Sequence, residues 1–229
     1  MHNKRVVFYA NVNGMRARAD ELRRAAQPFD IVALQETRLR SDVEAAALFR
    51  TIFPQHIVAA SFPHNEDGAG CALLVRAGLP FRVSLRMSTD RHRLLGVEVD
   101  LPGCPSLSVA TLYVPPRGSV GGYRLRPDLL ETALSPQRAL LVGDLNARSA
   151  ALGCQSTNTN GRTLERFLDS SGALVINDPG IPTFLHSSRA FEDCLDWGLA
   201  TPSAAAFLSC AVGADIGSDH LPLLIAGPP

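Results

Sequence analysis

The sequence predicts an α/β sandwich, two mixed β-sheets packed face to face and covered by helices. Three observations predict it. Apolar runs of strand length recur from Val6 to Ala226. Segments with helical spacing fall between them in both halves of the chain, a distribution that layered α/β packing accommodates. No composition break, long linker or residue-level repeat divides the 229 residues, so one domain with a substantial core is expected.

Val6–Val12 reads as a buried strand, and Met15–Ala26 as a helix with Leu22 and Ala25-Ala26 on one face, ended by Pro28. Ile31–Gln35 is a second strand. Ser41 caps a helix running to about Phe53, with Asp42 and Glu44 at its positive end. His56–Phe62 and Cys71–Val75 are strands flanking the turn-rich His64-Asn65-Glu66-Asp67-Gly68. Val83–Met87, Leu94–Leu101 and Ser106–Val114 follow as strands between Gly, Pro and polar turns. Past Pro115-Pro116 comes a glycine-rich loop, Gly118–Gly122, and then a helix over Pro127–Leu134. Leu140–Val142 is a strand, and Gly161–Ser171 a helix with Leu164, Phe167 and Leu168 inward. Leu174–Ile176, Thr183–Leu185, Leu195–Ala200, Phe207–Val212 and Leu221–Ala226 complete the strands.

Composition narrows the function. At 46% apolar and 19% charged the chain has the balance of a soluble globular domain. No apolar run approaches the roughly 18–20 residues that span a bilayer, and the N-terminus lacks the order of a secretory signal. The five cysteines are scattered, odd in number and without a C-x-x-C pair. That argues against a disulfide framework or zinc site and suits a reducing compartment. The net charge is zero, so charge alone does not announce a nucleic-acid binder. Lys4 is the sole lysine among the cations. Arginine forks suit phosphate, but biased codon usage explains the same preference.

Chemistry is concentrated where apolar runs stop. Gln35-Glu36-Thr37 follows Ile31–Leu34, Gly143-Asp144-Leu145-Asn146 follows Ala139–Val142, and Ser218-Asp219-His220 precedes Leu221–Ile225. Singly, each has a bland reading. Glu36 is a solvated loop acid, Asp144 and Asn146 an Asp/Asn turn, Ser218-Asp219 a cap, Asp196 a strand-edge carboxylate, and His220 a packed histidine. Together they make a coherent hydrolytic set, with carboxylates to hold a hard cation and an imidazole paired to an acid. Hydrolysis of a phosphodiester is the expectation.

In this order the residues resemble the exonuclease III/AP-endonuclease-like phosphodiesterase superfamily, related to DNase I. Within it the chain resembles the endonuclease domain of LINE-type (non-LTR) retrotransposons. The resemblance runs through Asn11-Val12-Asn13-Gly14, Gln35-Glu36-Thr37, Gly68-Ala69-Gly70-Cys71-Ala72, Leu112-Tyr113-Val114-Pro115-Pro116, Gly143-Asp144-Leu145-Asn146, Pro182-Thr183-Phe184, Leu195-Asp196 and Ser218-Asp219-His220. The opening Asn11–Arg18 suits a DNA-repair AP endonuclease equally. Asn177-Asp178-Pro179-Gly180-Ile181-Pro182-Thr183, with the segments at Tyr113 and Asp144, turns the balance to the retroelement type.

The resemblance implies a DNase I-like, four-layer sandwich and a role for each motif residue. Glu36 would ligate Mg2+, for which Mn2+ substitutes, with Asn11 and Asp219 close by. His220, oriented by Asp196, would contact the scissile phosphate or accept a proton. Asp144, held by Asn146, would activate water or protonate the leaving oxygen. Tyr113 would donate to a phosphate oxygen; from the residues alone it is a core aromatic before a Pro-Pro corner. Thr183 and Ser218 would position the DNA backbone. Arg117, Arg124, Arg148, Arg162 and Arg189 offer a local basic strip, and the loop His186–Phe191 a hairpin tip that helps choose the target. The implied activity is nicking of one strand of double-stranded DNA, leaving a 3′-hydroxyl that primes reverse transcription. The partner would be a reverse transcriptase in the same polyprotein, from which this domain is excised. A nuclear, monomeric domain without membrane contact is expected. The alternatives are an AP endonuclease of base-excision repair, a phosphatase acting on a lipid or nucleotide, and an inactive DNA-binding relative.

Overall fold

The computed structural model describes residues 4–65, 69–89, 91–103, 105–116, 124–185 and 192–228. The Gly118–Gly122 loop, the His186–Phe191 tip, Arg117 and Arg189 lie outside them. The first part of the chain forms β1 (Lys4–Asn11), α1 (Ala19–Ala26), β2 (Ile31–Gln35), α2 (Asp42–Ile52), β3 (His56–Phe62) and β4 (Cys71–Arg76). The middle forms β5 (Phe81–Thr89), β6 (His92–Val99), β7 (Leu107–Tyr113), α3 (Pro127–Ala133) and β8 (Ala139–Asp144). Then come α4 (Thr159–Ser171), β9 (Leu174–Val175), β10 (Phe184–Leu185), β11 (Glu192–Asp193), β12 (Asp196–Ala200), α5 (Pro202–Ala205), β13 (Ser209–Val212) and β14 (Leu223–Gly227).

The strands make two six-stranded mixed sheets, ordered β13-β14-β1-β2-β4-β3 and β5-β6-β7-β8-β12-β9, and a small β10-β11 ribbon. Each large sheet is built around one parallel pair, β1 with β2 and β7 with β8, flanked by antiparallel strands. The inner faces pack through Val7, Ile31, Leu73, Val97, Val109, Leu140 and Ile225. The outer face of the first sheet is covered by α1 and α2, through Leu22, Phe49 and Ile52 against Phe8 and Val32. That of the second is covered by α3 and α4, through Leu129, Leu130, Leu164 and Phe167 against Leu141 and Trp197. This is the expected four-layer α/β sandwich. Because its central strands are buried on both faces, they read as unbroken apolar runs rather than alternations.

Local chemistry sets the boundaries. The Ser41 hydroxyl accepts the Glu44 N–H at 3.2 Å, and the Glu44 carboxylate reaches back to the Arg40 N–H at 3.0 Å. Ser41→Ala is expected to cost about 1 kcal/mol of stability; a urea-unfolding midpoint equal to that of the unmodified protein would show the cap to be idle. Asn158 caps α4 through the Gly161 N–H at 2.7 Å, starting that helix two residues before the expected Gly161. The expected Met15–Ala26 helix is broken into a 3-10 turn at Arg16–Arg18 followed by α1. Its break coincides with Arg18, whose guanidinium binds the carbonyls of Asn13, Gly14 and Gly217. The 3-10 turn at Ala150–Leu152, β11 and α5 were not expected. Each is too short to show a period.

Candidate active site

Strand direction brings the chemistry to one rim. Asn11, Gln35, Tyr113 and Asp144 end the four parallel strands; Asp196 opens β12, and His220 precedes β14. The period of two then turns Tyr9 and Asn11, Gln35, Thr111 and Tyr113, Asp144 and Asp196 into the layer between the sheets. Their neighbours Phe8, Leu34, Leu112, Leu145 and Trp197 face the helices. Trp197 lies in the outer core, donating its indole N–H to the Ala147 carbonyl at 2.9 Å.

Hydrogen bonds across the layer fix the geometry. The Asn11 amide donates to Glu36 Oε1 and Asp144 Oδ2, both at 3.1 Å, joining the two sheets. The Tyr113 hydroxyl donates to the same Glu36 oxygen at 3.1 Å. Asp144 Oδ1 accepts the Asn146 N–H at 2.9 Å, while the Asn146 amide donates to the Val114 carbonyl at 2.8 Å. His220 Nδ1 is 2.7 Å from Asp196 Oδ2, which fixes the ring with Nε2 toward Asp144. The 3.8 Å from Nε2 to Asp144 Oδ2 is an ion-pair separation, too long for a hydrogen bond. The Phe184 ring meets the imidazole edge-on at 5.0 Å. Glu36 and Asn146 hold left-handed backbones, with φ of 52° and 46°. Such strain needs a surrounding structure that enforces it. At Glu36 the carbonyl accepts the Gly14 N–H, and the next residue donates to Gly70.

The carboxylates crowd one imidazole. Burial raises Asp144 to about 8, with Asp196 and Glu36 adding to the rise and His220 opposing it. Burial works against a charged His220, yet Asp196, and then Asp144 and Asp219, raise it to about 10. Both directions mean that the Asp144–His220 pair retains a proton more firmly than either isolated group. Such a pair can hand a proton to, or take one from, a group placed between the side chains and solvent.

Asp144, Asp196 and His220 have ligand atoms within 4.8 Å of one another, the only such trio of Asp, Glu, His or Cys among the described residues. It is a poor cage for an ion, since Asp196 is already held by His220 and by the Tyr9 hydroxyl at 2.6 Å. Glu36 and Asp219 are the less committed carboxylates of the rim. Each is half-buried, with one oxygen anchored: Glu36 Oε1 by Asn11 and Tyr113, and Asp219 Oδ1 by the Asn13 amide at 2.9 Å. Among the described residues nothing donates to their second oxygens. An anchored carboxylate with its other oxygen open is the kind of ligand taken by an ion that keeps most of its own water.

Two expected residues act within the fold. Thr183 is fully buried, and its hydroxyl oxygen accepts the N–H groups of Leu195 and Asp196 at 3.1 and 3.0 Å. Ser218 donates to the Asn11 carbonyl at 2.8 Å and accepts the His220 N–H at 3.3 Å. Beside Asn146 lies a cavity of about 200 Å³ whose lining includes Arg148, Asn158, Phe184 and Leu195. Arg124 and Arg162 are exposed. Sequence reasoning gave no role to Tyr9 or Gln35. Gln35 Oε1 accepts the Asp144 N–H at 3.0 Å, and its amide donates to Thr111 at 2.8 Å. The only signal was a tyrosine and a glutamine in buried strands, where each polar group requires a partner.

This fold and this rim define a phosphoester hydrolase. A family model described as the endonuclease/exonuclease/phosphatase family matches residues 8–220, and the chain belongs to that family. It is 25% identical over 218 residues to the "probable RNA-directed DNA polymerase from transposon BS" of Drosophila melanogaster. That match takes 94% of this chain and 23% of the relative, so the chain spans about a quarter of its length. Among solved structures, the endonuclease domain of TRAS1, a telomere-specific non-LTR retrotransposon, superposes with a TM-score of 0.71 at 18% identity, covering 96% of this chain and 97% of that one. The AP endonuclease LMAP of Leishmania major gives 0.73 at 17% identity, covering 97% and 87%. At these identities the two structures establish the fold.

Proposed function

We propose that this chain is a Mg2+-dependent DNA endonuclease that nicks one strand and leaves a 3′-hydroxyl, from which a retroelement's reverse transcriptase extends. The observation carrying the reading is the Asp144–His220–Asp196 constellation set beside Glu36 at the ends of both parallel pairs. The likeness to a transposon polymerase favours the retroelement setting, with a polymerase in the same polyprotein; chromosomal DNA in the nucleus would be the target.

Glu36 and Asp219 would hold Mg2+, which supplies positive charge against the phosphate oxygens; Mn2+ has the same oxygen preference. The chain's own groups do the rest. Asp144, its oxygens held by Asn11 and the Asn146 N–H, is placed to move a proton to or from the reacting water or leaving oxygen. His220 presents Nε2 to the phosphate, its ring orientation set by Asp196. Tyr113, whose phenol burial keeps protonated, offers a hydrogen-bond donor at the same rim. Thr183 and Ser218 serve the DNA through Asp196 and His220, which they brace.

The test is conversion of supercoiled plasmid to open circle with Mg2+, with EDTA and with Asp144→Ala protein. Nicking that requires the metal and is lost in the variant is the expected result. Metal-independent nicking would overturn the cation's part. Strong preference for an oligonucleotide carrying one abasic site would move the assignment to base-excision repair. A folded protein that binds DNA without cleaving it would be an inactive relative.

A further inference from the structure

We propose that Tyr9 is a positioning residue for the Asp196–His220 pair, an inference that rests on the hydrolytic reading above. Tyr9 and Asp196 are both fully buried, on opposite sheets. The phenol oxygen lies 2.6 Å from Asp196 Oδ1, while Asp196 Oδ2 faces His220 Nδ1 at 2.7 Å. Gln35 Oε1 is also within reach of the phenol at 3.0 Å, but the Asp196 carboxylate is closer, at 2.6 Å, and charged, which makes it the stronger acceptor. The single phenolic proton therefore goes to the carboxylate. Burial, reinforced by Asp196 and Asp144, raises the Tyr9 pKa well above its ordinary value, so the group remains a donor.

The consequence is mechanical as well as electrostatic. With a proton donor on each oxygen, Asp196 has one orientation available, and the imidazole can turn only about that bond. Thr183 fixes the backbone of Asp196; Tyr9 fixes its side chain. Both supports of Asp196 thus come from outside the catalytic strand ends, Tyr9 reaching from the first sheet to the second. An aromatic needed only for packing would do as well without its hydroxyl. Removing the hydroxyl leaves a buried carboxylate oxygen unpaired, which favours rotation of the carboxyl away from the imidazole.

Tyr9→Phe keeps the ring and removes the donor. In plasmid nicking with Mg2+ it is expected to lower kcat by about 10- to 100-fold, the rate equivalent of one charged hydrogen bond, with KM unchanged. Added to Asp196→Asn, it should cause no further loss. The downfield proton resonance of His220 Nδ1–H, assigned by its disappearance in His220→Ala, should shift in Tyr9→Phe whether or not nicking is observed. Absence of nicking by the unmodified protein would overturn the hydrolytic reading and leave the resonance to report the contact. Unchanged kcat in an active protein, an equal loss in the Asp196→Asn background, or an unmoved resonance would each overturn the role of Tyr9.

Discussion

Replacing His220 with alanine is expected to slow strand nicking by about 10²–10⁴-fold, the range for removing a positioned proton-transfer group. The expectation follows from how few alternatives the rim offers. Nδ1 is committed to Asp196 and Nε2 points toward Asp144, so this one ring, oriented by a buried acid, is the imidazole placed at the reacting face. Single-turnover nicking at saturating Mg2+ measures the effect, with circular dichroism confirming the fold. A rate equal to that of the unmodified protein would remove the imidazole from the reaction. The same pair sets a pH dependence. Burial disfavours the imidazolium, but Asp196 outweighs it and raises His220 from 6.5 to about 10. A raised folded-state pKa adds stability that is complete below the unfolded value and is lost as pH rises through the folded one. Thermal midpoints should therefore fall between pH 6.5 and about 10 in the unmodified protein, and fall less in Asp196→Asn, which lacks the charged partner.

The outline of this site was legible because polar residues interrupt apolar runs. Ile31–Gln35 coincides with the strand observed, since a buried strand ends where its sequence turns polar, and half-buried His56–Phe62 coincides as well, bounded by turn residues on both sides. Glu36 after β2, Asp144 at the end of β8 and His220 before β14 are visible for the same reason. What joins them was not legible. β14, from the end of the chain, lies between β13 and β1, and nothing local in Leu223–Gly227 announces that pairing. The resemblance placed Asn11 close to Glu36, and the structure adds that its amide also ties Glu36, at the end of a first-sheet strand, to Asp144 on the second sheet. Tyr9 was hidden by its company: between Val7 and Ala10, flanked by Phe8, an aromatic reads as core. Thr183 was expected to face DNA, but its β-branched hydroxyl is turned to the start of β12. Residue type reports what chemistry is available; the register across two sheets decides which partner receives it.

Gly143→Ala should damage stability and activity together. A methyl group at this position would stand 2.0 Å from the Leu112 carbonyl oxygen and 3.1 Å from the Gln35 amide nitrogen. The first contact is with backbone, which cannot swing aside as a side-chain end would. The β7–β8 register, paired from Ser108↔Ala139 to Thr111↔Val142, reaches its end there, so the strain is relieved by parting the strands at the rim. Overpacking of this kind costs about 1–3 kcal/mol, and this contact belongs near the upper end. The next residue is Asp144, whose N–H is held by Gln35 and whose carbonyl accepts the Val114 N–H at 2.9 Å. Any shift that frees Leu112 from the methyl group moves both bonds, and with them the carboxylate facing His220. The variant is expected to melt earlier and, at temperatures where it remains folded, to nick more slowly. Loss of stability with full activity would mean that the strands part without moving Asp144. Unchanged stability would show that the two strands are not in close contact at Gly143.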